Sequence, residues 1–237
     1  MYKRQIALES KFPQNFLASV QPIIRTEFIP NSDLIELLKN QLKSHPGIII
    51  GGLAQPEKPE VYCQAIAKIS QTLNFPVLAE GLSPLRNYSP LNPYLISTYD
   101  LILRNQKLAQ KLIPKIVLQI GELPTSKQLR SWLEAANSQR LIIDQSDQNF
   151  DPLHSNTTHL RISVEQLAKI SITQYSDNNY DINYLNLWCQ AEAKVRENID
   201  KKMATVNHIL EPKISWLISQ TLPKNTSIFV ANSMPVR

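Results

Sequence analysis

Short apolar runs alternate with amphipathic stretches through the middle of this chain. Gly47-Ile48-Ile49-Ile50-Gly51-Gly52 is glycine-bounded and apolar, the pattern of a strand buried on both faces of a parallel sheet. From Glu60 to Leu73, Val61, Ala65, Ile69 and Leu73 fall on one helical stripe. Pro76–Gly81 then predicts a second strand, Tyr99–Lys111 a helix, and Ile116–Gly121 a third strand. Ser126 opens a helix whose Leu129, Trp132, Leu133 and Ala136 recur at i, i+3, i+4 and i+7. Leu141–Asp144 predicts a fourth strand and Thr158–Ile162 a fifth, leading to a helix over Val164–Lys169. Strands separated by helices of this length call for a parallel sheet with right-handed crossovers, so the predicted fold class is α/β.

The flanks read differently. Residues 1–31 carry little pattern and are taken as a connection from a preceding unit, while Leu34, Leu37, Leu38 and Leu42 predict a helix feeding the first strand. The main domain is placed at 32–170. Residues 171–183 are polar, rich in Asn, Asp, Ser and Tyr, and are read as a linker. A polar helix from Tyr184 to about Met203 follows, then a second helix carrying Leu210, Ile214, Leu217 and Leu222. The strand-like ending opens into Asn232-Ser233-Met234-Pro235-Val236-Arg237. Helix, strand and polar loop in that order read as the entry to a second α/β domain at 184–237, and the chain as a piece cut at that threshold.

Composition narrows the function classes. The chain has 237 residues, 43% hydrophobic and 19% charged, and no apolar run approaches the roughly 20 residues of a membrane span. Its start, Met1-Tyr2-Lys3-Arg4-Gln5, lacks the apolar stretch of a secretory signal. Cys63 and Cys189 are isolated, which indicates neither a disulfide framework nor a Cys-based metal site and points to a reducing, cytoplasmic setting. The net charge of +5 is scattered and aromatics are only 7%, so no nucleic-acid stripe is expected. His45, His154, His159 and His208 lack metal-binding spacing.

Candidate chemistry is sparse. Gly51-Gly52 is followed by Leu53-Ala54-Gln55-Pro56, so neither G-x-G-x-x-G nor a P-loop is present, and a tight strand-end turn is the better reading. Arg86 follows the second strand and is open to two readings, a carboxylate clamp or a surface Arg beside a Pro turn. Ser126 reads as an N-cap, with Lys127 in the first helical turn against the helix dipole unless an anion sits nearby. Asp151-Pro152-Leu153-His154 reads as an Asx-type turn. An Asn-Ser loop with Arg237 four residues after Ser233, at the end of an apolar strand, is a ligand-loop arrangement for parallel sheets.

That terminal motif resembles the opening of the pyrophosphate-binding domain in the 2-succinyl-5-enolpyruvyl-6-hydroxy-3-cyclohexene-1-carboxylate synthase family. The middle domain of that family is similar to Pro76–Glu80 with Ser83–Arg86, Tyr99–Arg104, Gly121–Lys127 with Trp132-Leu133, and Asp151-Pro152 with His154, in the same order. The resemblance covers about residues 30–237. It implies a Rossmann-like, parallel-sheet middle domain of a thiamine-diphosphate enzyme, followed by the first helix and strand of a second α/β domain. It also implies a homodimeric or homotetrameric parent in menaquinone or phylloquinone biosynthesis. That parent decarboxylates 2-oxoglutarate on thiamine diphosphate with Mg²⁺ and adds the succinyl-semialdehyde unit to isochorismate. The main cofactor and metal motifs of the family are not in this chain, and the piece alone is expected to be inactive. By resemblance, Ser233, Arg237 and Lys127 bind substrate; Gln128 stands where the family often has Arg.

The competing reading is a free-standing doubly wound module that takes a nucleotide or an acidic effector at its strand ends. Arg86, Arg104 and Lys127 are the basic candidates for such an effector. The missing phosphate loop speaks against the nucleotide.

Overall fold

The computed structural model describes residues 46–146, 148–170, 179–208, 210–223 and 226–228, with positions 36, 38 and 42. Its centre is a six-stranded, all-parallel sheet: β1 (Gly47–Gly51), β2 (Val77–Ala79), β3 (Leu95–Ile96), β4 (Ile116–Ile120), β5 (Gln139–Ile143) and β6 (Thr157–Leu160). The spatial order is β3-β2-β1-β4-β5-β6. The helices are α1 (Pro59–Leu73), α2 (Tyr99–Leu103), α3 (Gln106–Lys111), α4 (Lys127–Ala136), α5 (Val164–Lys169), α6 (Asn179–Thr205) and α7 (Glu211–Thr221). The α/β class predicted from the apolar runs is the class observed.

The two sheet faces bury alternate residues of the same strands. Ile49, Val77, Leu118, Leu141 and Ile143 pack under α1 and α5 together with Leu38 and Leu42. Ile48, Ile50, Leu78 and Val117 pack under α2, α3, α4 and the first half of α6. All five residues of β1 and of β4 are buried, which is why β1 reads as an unbroken apolar run and β4 as one interrupted only by Gln119, neither of them alternating. Ser126 does cap α4, its Oγ accepting from Leu129 N at 3.1 Å.

The structure departs from the sequence reading in several places. The second strand is only Val77–Ala79, and β3, two residues long, was not foreseen. The helix expected over Tyr99–Lys111 breaks at Arg104–Asn105, because Asn105 turns its side chain back to cap α3 through Leu108 N at 3.2 Å. The stretch read as linker over 171–183 is helical from Asn179, and α6 runs on to Thr205. The first half of α6 is also not a free connection: Tyr184 Oη donates to Leu112 O at 2.7 Å, and Trp188, fully buried, meets Trp132 edge to face at 6.1 Å. Residues 1–31, the terminal strand and Ser233 and Arg237 lie outside the described residues.

Candidate functional site at the carboxyl edge of the sheet

In an open parallel sheet the ligand crevice lies where neighbouring strands send their connections to opposite sides, here between β1 and β4. That crevice is filled by main chain. Gly52 N donates to Ile120 O at 3.2 Å, and a Cβ on Gly52 would sit 1.7 Å from Glu122 O. Gly121, with φ +72°, brings its own backbone against Leu53 O. These glycines serve a close crossing of two loops, in keeping with the tight-turn reading.

Above this crossing, Glu80 at the end of β2 accepts from both Thr125 N and Thr125 Oγ1 at 3.2 Å, tying the β2 loop to the segment that opens α4. Lys127 follows, exposed, and no described residue pairs with it. Gln128 donates to Leu103 O at 3.1 Å and so covers the end of α2. An amide there serves the packing of two helices.

Arg104 is 66% exposed and forks onto Asp100 Oδ2 with contacts of 2.9 and 3.2 Å. Asp100 Oδ1 accepts from Ser126 Oγ, so Arg104 is linked to the residue just before Lys127. Arg86 is half-buried and donates to Ser97 O at 3.0 Å and Ala79 O at 3.5 Å, bracing the ends of β2 and β3. Burial pushes its guanidinium below the usual Arg value, and the nearby Arg196 pushes the same way. The structure thus brings Lys127 and Arg104 to one corner and sets Arg86 into another network.

That second network was invisible in the sequence. Glu192, on the polar-looking α6, is buried and accepts from Ser97 N at 3.0 Å, Thr98 N at 2.9 Å, Thr98 Oγ1 at 2.6 Å and Ser97 Oγ. Arg196, one turn on, donates to Glu192 at 2.8 Å and to Ser97 Oγ at 2.8 Å. Burial alone would raise the Glu192 carboxyl; the hydrogen bonds from Ser97, Thr98 and Arg196 outweigh it and hold it below its usual range.

A third network lies across the sheet. Arg140, on β5 and almost wholly buried, pairs with the equally buried Asp151 and donates to Gln119 Oε1 at 3.0 Å and Ser155 Oγ at 2.8 Å. Asp151 also accepts from Leu153 N at 3.1 Å, the Asx-type bond expected of Asp151-Pro152-Leu153, and from Ser155 N and Thr157 Oγ1. Gln119 completes the network by donating to Phe150 O at 2.8 Å. Burial works to raise the Asp151 carboxyl, but the adjacent Arg140 guanidinium and these hydrogen bonds hold it below its usual value. Every polar group is matched, so the network fastens the β5–β6 loop and offers no free reactive atom.

Two surface depressions, of about 310 and 250 Å³, lie away from Arg86, Arg104 and Lys127. The first sits on α1 beside Leu91; the second lies beneath the β5–β6 loop, over Ile142, His159 and Arg161.

Residues 14–230 match the family model described as "Middle domain of thiamine pyrophosphate". The chain belongs to this family of thiamine pyrophosphate middle domains. Among similar curated proteins is the 2-succinyl-5-enolpyruvyl-6-hydroxy-3-cyclohexene-1-carboxylate synthase of Trichodesmium erythraeum, 90% identical over 98% of this chain and 40% of the relative. The protein of that name from Trichormus variabilis is 53% identical over 97% of this chain and 39% of the relative, and that from Crocosphaera subtropica 40% identical over 94% and 37%. The middle-domain chain thus spans about 40% of the length of the first of these.

The described part of this middle domain does not itself fit thiamine diphosphate or Mg²⁺. Among the described residues no three His, Cys, Asp or Glu side chains converge on a point that could hold a metal ion. The glycines at the β1–β4 crevice are taken up by the loop crossing, which leaves no cradle for a diphosphate. No helix among the described residues is long and apolar enough to cross a membrane.

Proposed function

We propose that this chain is the middle portion of a thiamine-diphosphate-dependent synthase that converts 2-oxoglutarate and isochorismate to 2-succinyl-5-enolpyruvyl-6-hydroxy-3-cyclohexene-1-carboxylate. The observation that carries this reading is the 90% identity to a synthase of that name across 98% of the chain. On it, the parent is a carboligase of menaquinone or phylloquinone biosynthesis, cytoplasmic, dimeric or tetrameric, with thiamine diphosphate and Mg²⁺ held by parts of the parent outside the described residues. Bound there, the cofactor supplies the carbanion chemistry of decarboxylation. This chain supplies scaffold and substrate contacts.

Within it we assign residues 32–170, with the first half of α6 seated on their sheet, to the middle domain, and the chain from α7 onward to the approach to the pyrophosphate-binding domain. Support comes from α7, which buries none of its residues and leaves Ile214, Leu217 and Ile218 each more than 40% exposed. A helix with such a face is stable only against another apolar surface. Ser233 and Arg237 are assigned to the substrate: a bidentate Arg is the natural grip for a dicarboxylate, and a Ser hydroxyl adds a directional bond. Lys127 is assigned to substrate binding as well, since an exposed cation at a helix start, with no partner among the described residues, is unfavourable unless an anion approaches. Arg86 and Arg104 could receive an acidic effector only by exchanging the partners they now hold. The filled β1–β4 crevice weighs against a free-standing nucleotide-binding module.

The test is product formation by the full-length protein from isochorismate and 2-oxoglutarate with thiamine diphosphate and Mg²⁺, measured by absorbance and mass spectrometry. Formation of the succinyl adduct is expected, with Arg237→Ala raising KM at least about tenfold, the loss of one charge-assisted pair. No adduct from the intact parent would overturn the reading.

A further inference from the structure

Glu192 stands out for the sequence distance it spans and for where it sits on its helix. Its partners Ser97 and Thr98 lie 95 and 94 residues away, at the end of β3 and the start of α2. Before it, α6 is seated on the sheet layer by Tyr184, Leu185 and Trp188. After it, Ala193, Lys194, Arg196, Glu197 and Asn198 are all exposed, and no residue from there to Thr205 is buried. Glu192 is therefore the last buried residue of α6 and its last polar anchor on the layer, with only the half-buried Val195 packing against the layer beyond it. Beyond this point α6 runs on for about 20 Å at 1.5 Å per residue, so a tilt of about 10° at the anchor moves its far end by about 3 Å.

The chemistry suits an anchor. Two backbone N–H groups and two hydroxyls, from adjacent residues, converge on the two carboxylate oxygens, and Arg196 closes the outer side. Four donors fixed by the sheet edge define the position and roll of the carboxylate far more tightly than apolar contact does. Arg86 holds Ser97 from the other side through the Ser97 carbonyl, so the receiving end is itself braced to β2.

We propose that Glu192 is a positioning residue: its clasp on Ser97 and Thr98 sets the angle at which α6 departs from the sheet and so aims the chain that follows. Its consequence for catalysis rests on the reading given under Proposed function. There the loop holding Ser233 and Arg237 follows α6 and α7 in sequence, and misplacing a substrate contact by about 1 Å can cost up to about 100-fold in rate.

The geometry is tested on the full-length protein by double electron–electron resonance between nitroxides at Glu134→Cys on α4 and Lys202→Cys near the end of α6, with the other accessible cysteines, Cys189 among them, replaced by Ser. The expected result is a narrow distance distribution in the parent sequence, at least doubled in width by Glu192→Ala, with the circular dichroism of the sheet layer retained. A distribution as narrow in Glu192→Ala as in the parent overturns the proposal. Where Glu192→Ala does not fold, Glu192→Gln carries the test, since its amide NH2 faces donors and undoes half the clasp. In the full-length protein, Glu192→Gln should lower kcat/KM about tenfold or more. If the unsubstituted full-length protein makes no product, the functional reading fails while the distance measurement still decides the clasp.

Discussion

Two buried carboxylates serve opposite edges of the same sheet, and their partners explain why they do different things. Asp151 draws on Arg140, Leu153, Ser155 and Thr157, all within 11 residues of it, and both members of its ion pair are buried. Glu192 reaches back 94 and 95 residues, and its Arg partner is 59% exposed. The first network fastens one loop to its own sheet edge. The second joins a departing helix to strands laid down much earlier. Similar hydrogen-bond chemistry fixes a local shape in one place and a long-range direction in the other, and sequence separation makes the difference.

The comparison breaks most sharply at Arg140. Arg140→Ala leaves Asp151 buried without its cation and should cost about 3–5 kcal/mol in urea unfolding. Replacing the pair together, Arg140→Met with Asp151→Asn, should recover part of that loss, because the side-chain amide oxygen can still accept from Leu153 N or Ser155 N. Glu192→Ala orphans donors nearer the surface and should cost less, about 1.5–3 kcal/mol, the worth of hydrogen bonds to a charged group.

Acid should sharpen the contrast further. Both carboxyls sit below their usual values in the folded protein, so each contributes stability that is complete above the unfolded value, about 4, and is lost as pH falls through the folded value. Melting temperatures from pH 7 to pH 3 should fall in the acid range, and Asp151→Asn and Glu192→Gln should each flatten that fall by removing one share. An unchanged slope in both variants would mean that other carboxyls carry the acid sensitivity. The smallest effect is expected at Arg104→Ala, within about 0.5 kcal/mol, because its pair with Asp100 is exposed and one helical turn apart.

Much of this architecture was legible in the chain because burial on both faces leaves an unmistakable trace. Ile48-Ile49-Ile50 and Ile116-Val117-Leu118 have no polar alternation to confuse them with surface strands. What escaped notice was short or locally contradictory. Leu95-Ile96 is too brief to show a period, and Asn105 interrupts an apolar helical stripe through a side-chain cap that periodicity does not register. Arg140 is a charge inside a strand, so the apolar run shows that strand only from Leu141, two residues after its start at Gln139. Glu192 sits among Lys194, Arg196 and Glu197 and looks like one more solvated charge; only its partners nearly a hundred residues earlier set it apart. Of the site residues foreseen, Lys127, Arg86 and Arg104 all fall near the carboxyl edge of the sheet, but two of them are already committed to partners.

The crossing of the Gly52 and Gly121 loops has one more consequence. In an open parallel sheet the central crevice is the usual berth for a small molecule. Here the berth is plugged by the protein's own peptide groups, with no room for even a methyl group at Gly52. Nothing can enter without prising two loops apart. At this point the sheet is built as a joint between two loops rather than as a ligand berth.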